Sequence, residues 1–322
     1  MKISFRLFYW VTALSLLLSF TATVRAQPVK VRAVYPSVDL QYLPAFVAQS
    51  KGIFKEEGLD VELIVMPGGR VGVQALVSGD IHFILQMGVA LPAIWQGAEL
   101  KILAQMTSMP LFSLLVRPEI QKPEDLRGKK IGVSVGATTF ALVHEYLNLN
   151  GINPDKGVEY VNIPGSRGKI AALEMGLISA APLAPPGDLK AIQAGAKRLV
   201  FFGDLMPEVS FTGLIATSRY VKEAPKTVER MVRAIVRATY LTRDDSAAAL
   251  DAMQRYLKMP ADEARESYRL VRTSFNPLLN ESGIKKMATL VSKSIGITPA
   301  REPKDYMDVS FLSRALADLG KK

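Results

Sequence analysis

The stretch MPGGRVGVQALVSGDIH, Met66 to His82, places a proline, a glycine pair and an arginine where an apolar strand-like run gives way to an amphipathic helix. It has a counterpart in the same chain. Laid at an offset of 97 residues, IPGSRGKIAALEMGLIS (Ile163 to Ser179) aligns with it without a gap. The pairs Pro67/Pro164, Gly68/Gly165, Arg70/Arg167, Ala75/Ala172, Leu76/Leu173, Gly79/Gly176 and Ile81/Ile178 are identical, and Val73/Ile170 is a like-for-like exchange. Upstream, GIFKEEGLDVELIVM (Gly52 to Met66) matches GINPDKGVEYVNI (Gly151 to Ile163), which is two residues shorter. A period near a hundred residues is too long for a solenoid unit and about right for a domain, so the chain reads as two similar lobes.

Each copy runs strand, helix, strand, loop, helix, strand. The first has VKVRAVYP, the helix of YLPAFVAQSKG, DVELIVM, the helix of VGVQALVSG and the strand IHFILQM; the second has KKIGVSV, ALVHEYLNLNG, VEYVNI, KIAALEMG and ISAAPL. Short apolar runs alternating with helices predict a parallel sheet covered on both faces. Between the copies, LFSLLVRPEIQKPEDLRG reads as a strand followed by a proline-marked crossing, and FTGLIATS (Phe211 to Ser218) as a strand returning to the first lobe. From Lys226 onward the spacing is helical, and this tail is assigned to lobe one. The expected fold is α/β: two doubly wound lobes joined by a two-strand hinge, with lobe one at 27–116 and 213–322, lobe two at 117–212, and the C-terminal helices packed on lobe one.

Among 322 residues, 49% hydrophobic against 22% charged describes a globular chain with room for two cores. Lys2 and Arg6 precede an apolar run from about Leu7 to Phe20, and Val24-Arg25-Ala26 offers the small residues a signal peptidase inspects. An export signal over 1–26, cleaved after Ala26, is therefore expected, with the remainder in the periplasm. The chain has no cysteine, so neither a disulfide nor a lipid-bearing or nucleophilic thiol is available. Of the net charge of +10, Lys2, Arg6 and Arg25 carry three, leaving +7 after cleavage. The remaining basic residues are interleaved with acids, as in Lys55-Glu56-Glu57, so nucleic acid is not an expected partner. A diffuse positive field suits small anions better.

Ligands of open α/β sheets bind outside the carboxyl ends of the strands, where loops lead into helix N-termini with free N–H groups. Here those loops hold Tyr35 to Gln41, Gly68 to Arg70, Met87-Gly88, Gly136 to Thr139 and Ser166-Arg167. Arg70 and Arg167 are candidate clamps for a carboxylate, sulfonate or phosphate, and equally candidates for a structural role shared by both lobes. Tyr35 and Tyr42 suit either stacking on a ligand or core packing. His82 and His144 lack zinc-ligand spacing, so no metal is expected. No G-x-S-x-G elbow, Walker loop or G-x-G-x-x-G fingerprint occurs, and no catalytic residue or cofactor is assigned.

The segments YLPAFVAQSKGIFKEEGLDVELIVMPGGR, LVSGDIHF, LVRPEIQKPEDLRGKKIGVSVGATT and LEMGLISAAPLAPP together resemble the nitrate, sulfonate, taurine and pyrimidine-precursor solute-binding proteins of ABC importers. That resemblance implies a type II periplasmic-binding-protein fold that closes on a small ligand and delivers it to an inner-membrane permease, working as a monomer. It points to Ser37, Gln41, Tyr42, Gly68, Gly69, Met87, Gly88, Gly136, Thr138 and Thr139 as the pocket. Two departures stand out: His82 where many relatives have aspartate, and Gly176-Leu177-Ile178-Ser179-Ala180 where they have G-x-[VI]-D-A. Pro182, with Pro185-Pro186, gives the far wall an apolar character. With Tyr35, Tyr42 and Met87 it suggests an apolar or aromatic organic anion rather than nitrate. The alternatives are a receptor module for a membrane sensor, or an enzyme of the same fold such as a pyrimidine-precursor synthase, for which a cysteine-rich motif is expected and absent here, or a dehydratase.

Overall fold

A computed structural model describes residues 27–321; the expected export signal at 1–26 lies outside the described residues. The first half runs β1 (Val29–Tyr35), α1 (Leu43–Ser50), β2 (Leu59–Val65), α2 (Arg70–Ser78), β3 (Phe83–Ile84), α3 (Leu91–Trp95) and β4 (Leu100–Thr107). The chain then crosses over and repeats the series: β5 (Ser113–Val116), β6 (Lys130–Val133), α4 (Thr138–Leu149), β7 (Glu159–Asn162), α5 (Ser166–Glu174), β8 (Ala180–Leu183), α6 (Gly187–Gln193) and β9 (Lys197–Phe201). A second crossing leads back to β10 (Thr212–Thr217) and a helical tail. Its longer members are α7 (Pro225–Asp244), α8 (Ser246–Leu257), α9 (Ala261–Val271), α10 (Glu281–Ile295) and α11 (Ser310–Asp318).

The two five-stranded sheets have the same order, β2-β1-β3-β10-β4 and β7-β6-β8-β5-β9. In each, three parallel strands are followed by one antiparallel strand donated from across the molecule, β10 in the first sheet and β5 in the second. The sheets are thus mixed rather than purely parallel. Residues 113–116, which the sequence reading places in lobe one, hydrogen-bond in the second sheet. The crossing precedes them, at 108–112, because the apolar run of β5 is buried on both faces only between β8 and β9.

The crossings pack on each other. Thr107 Oγ1 and Thr212 Oγ1 are 2.6 Å apart and buried, the Thr212 N–H donates to Thr107 Oγ1 at 3.2 Å, and the rings of Phe112 and Phe211 lie 5.7 Å apart. Thr212→Val removes one hydroxyl while keeping the shape. It is expected to destabilise the chain by about 1–2 kcal/mol, the cost of stripping a buried hydroxyl of a partner, and urea unfolding checks it.

The tail is amphipathic as its spacing predicts. Val228, Met231, Val232 and Ile235 on α7 join Leu43, Phe46 and Val47 on α1 in one core. Helix α10 departs from the expectation that the tail serves lobe one alone: Ile284, Met287 and Val291 also pack with Leu142 and Tyr146 of α4, in lobe two. Its apolar stripe was visible in the sequence; its partner was not. Among the described residues no helix is long and apolar enough to cross a membrane.

Candidate functional site

The duplicated turns face one another. Gly68, Gly69 and Gly165 line a single interlobe cavity of about 40 Å³, with Ser37, Tyr42, Gln86, Phe112, Ser134, Thr139, Ser166 and Lys169 among its other walls. Pro36, Ser37, Gly165 and Ser166 are shared with a wider groove of about 820 Å³, walled by Val38, Val65, Pro67, Arg167, Ile170 and Leu257. Gly165, with φ of +78°, opens α5 in a conformation that a side chain disfavours, and a Cβ there would meet nothing within 4 Å.

Three helices begin at this cavity: α2 after Gly69, α4 after Ala137 and α5 after Gly165. None has a side-chain cap on its first N–H groups, and none carries an acidic residue in its first turn. Helix N-termini normally recruit both. Leaving three of them bare around one space creates a positive potential and a set of donors suited to an oxyanion.

Six of the residues singled out from sequence line the cavity: Ser37, Tyr42, Gly68, Gly69, Thr139 and Ser166. Thr138 is buried instead in the interlobe contact, where Gln86 Nε2 donates to its Oγ1 at 3.5 Å and the Gly88 backbone packs against its side chain. Gly136 touches the exposed Arg70 side chain, so Arg70 bridges the lobes without entering the cavity. Arg167 is exposed on the groove wall. Tyr35 turns into the core against Tyr42 and Phe46, at ring separations of 5.4 and 5.5 Å. Gln41 is buried beside the crossings, its Oε1 accepting from the Leu111 N–H at 3.5 Å. Met87 packs beneath Gly213, and Pro182 sits within β8 opposite Leu114. Gly88 contributes closeness of approach, not a cavity wall. Of the four residues behind the apolar-ligand expectation, only Tyr42 borders the cavity, and Phe112 supplies the second ring.

Neither histidine belongs to the site. His82 Nδ1 accepts from the Arg32 N–H at 2.9 Å and its ring lies 4.9 Å from Tyr220, while His144 is buried with Nε2 at 3.5 Å from Asp155. No cluster able to hold a metal occurs among the described residues.

Gln86, Phe112, Ser134 and Lys169 were missed. Lys169 had a signal: it falls in register with Ala172 and Leu173 on the buried face of α5, where a lysine is out of place. Asp39 stands near it from the opposite lobe, fully buried, accepting from Ser37 Oγ at 2.5 Å and from the Gln41 N–H at 3.1 Å. The adjoining Leu40 N–H donates across the interface to the Pro185 carbonyl at 2.9 Å.

Burial lifts the Asp39 carboxyl to about 7, from an ordinary 3.8. The folded chain therefore holds a proton that the unfolded chain releases. This contribution to stability is full below the unfolded value and is lost as pH rises through about 7. Asp39→Asn, always neutral, is expected to melt above the wild type at about pH 8 and to converge with it at about pH 3, below the unfolded value. A separation that does not change with pH contradicts this.

The fold and this site define a class: a two-lobed clamp whose cavity lies between similar halves joined by two crossings. The chain belongs to the NMT1/THI5-like family, whose model matches residues 39–249. A Brucella abortus protein named only as a binding protein is 26% identical over 309 residues, covering 91% of this chain and 95% of its own. The taurine-binding periplasmic protein of Escherichia coli is 34% identical over 143 residues, 43% of each chain. Among solved structures, the alkanesulfonate-binding protein SsuA from Xanthomonas axonopodis pv. citri superposes with a TM-score of 0.75 at 16% identity, over 88% of this chain and 100% of that one. The desulfurization enzyme DszB shares the fold as well, with a TM-score of 0.65 at 17% identity over 90% and 99%.

Proposed function

We propose that this chain is the extracytoplasmic solute-binding component of an ABC importer, capturing a small organic anion between its lobes and passing it unaltered to a permease in the inner membrane. The observation that carries this reading is the convergence of three uncapped, acid-free helix N-termini on one cavity built from both lobes. A ligand that touches both lobes stabilises their contact, and its differential affinity for the closed arrangement drives closure. The crossings at 108–112 and 202–211 are where such a motion would bend, and Phe112 links the first of them to the cavity. A space of about 40 Å³ suits a compact headgroup, whose organic body would continue past Ser37 and Ser166 into the groove.

Family membership and the binding-protein relatives support the reading. The enzyme sharing the fold sets a second one, in which the bound molecule is transformed. Thermal melting with a panel of sulfonates, carboxylates, nitrate and sulfate, beside neutral sugars and amines, tests the proposal. Organic oxyanions are expected to raise the midpoint and to be recovered intact. Stabilisation by amines or sugars alone, or conversion of a stabilising anion, contradicts it.

A further inference from the structure

We propose that Lys169 is the charge-selecting residue of the interlobe site, a buried ammonium without a protein partner that is satisfied only when a solute bearing a full negative charge enters the cavity. This rests on the solute-binding reading above.

Lys169 is 4% exposed and borders the cavity. It is the one buried lysine or arginine among the described residues, and no hydrogen bond or ion pair among them reaches its Nζ. By contrast the half-buried Arg233 is paired with Glu57 at 2.7 Å, and the buried Asp188 is paired with Arg198 at 3.0 Å. Asp39 is the acid that acts on it most, but it makes no ion pair with Lys169 and already accepts from Ser37 and Gln41.

An ammonium out of water is costly unless paired, and three helix N-termini at the same cavity add repulsion rather than relief. Burial accordingly draws the Lys169 ammonium down to about 8. The internal repeat sharpens the point. The position of Lys169 is that of Gly72 in lobe one, which faces Val34 and Ile84 on the buried side of α2. Lobe two has a charged side chain where its counterpart has none.

A site of this kind separates anions from neutral molecules of the same shape, because a neutral headgroup leaves the ammonium unpaired. Groups tuned for binding in this way stand at the expense of stability.

The test uses the exported chain freed of co-purified solute, as wild type and Lys169→Met. Melting in buffer comes first, followed by calorimetry with ethanesulfonate and benzoate and with their neutral counterparts ethanesulfonamide and benzamide. In buffer, Lys169→Met is expected to melt a few degrees above the wild type. At least one of the two anions is expected to bind the wild type, its neutral counterpart not at all. Lys169→Met is expected to lose about 30-fold or more in affinity for that anion. Lower melting of Lys169→Met in buffer shows a structural pair with Asp39 and overturns the proposal. Equal affinity of both chains for the anion, or wild-type binding of the neutral counterpart as tightly, overturns it too. If neither anion binds the wild type, the importer reading loses support on its own ground, and the sign of the melting shift alone decides the status of Lys169: a rise supports the proposal and a fall overturns it.

Discussion

Gly69→Val is expected to abolish solute binding and to lower stability by about 3 kcal/mol or more, the largest effect of any single change in the cavity wall. Two costs combine at this position. The backbone sits at φ of +56° and ψ of −55°, outside the regions open to a β-branched residue. A Cβ would also lie 2.6 Å from Val89 Cγ1, a short side chain fixed in the core and unable to swing away. Relief by backbone movement would shift the N-terminus of α2, and with it the N–H groups offered to the ligand. Gly151→Ala serves as the reference: its φ is +67°, but nothing lies within 4 Å of the new Cβ, so about 1 kcal/mol of backbone cost is expected alone. Thermal unfolding of both variants checks the difference, and similar losses would show that Val89 is no obstacle.

Gly88→Ala is expected to act on closure rather than on folding. The Gly88 backbone is not in the left-handed region, so the methyl group brings little strain of its own. Its Cβ would collide with Oγ1 and Cγ2 of Thr138, which belongs to the other lobe. Overpacking of about 1–3 kcal/mol would then fall on the closed arrangement, which the lobes can escape by parting. Solute affinity is expected to drop by about 5- to 150-fold, because the cost of closing is subtracted from the binding energy. Met287 Sδ, 3.1 Å from the same Cβ, has a flexible side chain that can yield. Thr138→Ala removes both colliding atoms, so the double variant is expected to recover most of the lost affinity. Calorimetry on the two single variants and the double one measures this coupling. Failure of the double variant to recover would mean that the wedge acts through α10 instead.

Much of the architecture was legible because it is written twice. The offset pairing Pro67 with Pro164 and Gly68 with Gly165 exposed two lobes, and the structure gives them matching strand orders and one common cavity. Helix starts were legible for the same reason, which is why Thr139 and Ser166 were found. What the sequence could not convey is direction. Tyr35 ends a strand whose alternation turns its ring inward, and Met87 and Pro182 lie beside glycine and strand neighbours that cover them. The shared arginines stood open between a clamp and a structural role. Each opens a helix at the lobe interface and is exposed, Arg70 against Gly136 of the other lobe and Arg167 on the wall of the groove.

Long-range pairing was the other blind spot. The strand 113–116 follows lobe one in the chain, yet its antiparallel partners β8 and β9 come much later, so no local signal marks the crossing before it. Phe112 enters the cavity for the same reason, as the last residue of a crossing whose course only the fold defines. Lys169 was readable and overlooked: a lysine on an apolar helix face is a question the pattern poses by itself.

On the proposed reading, one anionic solute occupies the space between Gly68 and Gly165. Native mass spectrometry of the protein, purified gently from the cells that make it, is the decisive experiment. A small anionic adduct at one per chain is expected, released on acidic denaturation and missing from Gly69→Val. A chain that carries no adduct and takes up none from a mixture of organic anions would contradict it, as would an adduct retained undiminished by Gly69→Val.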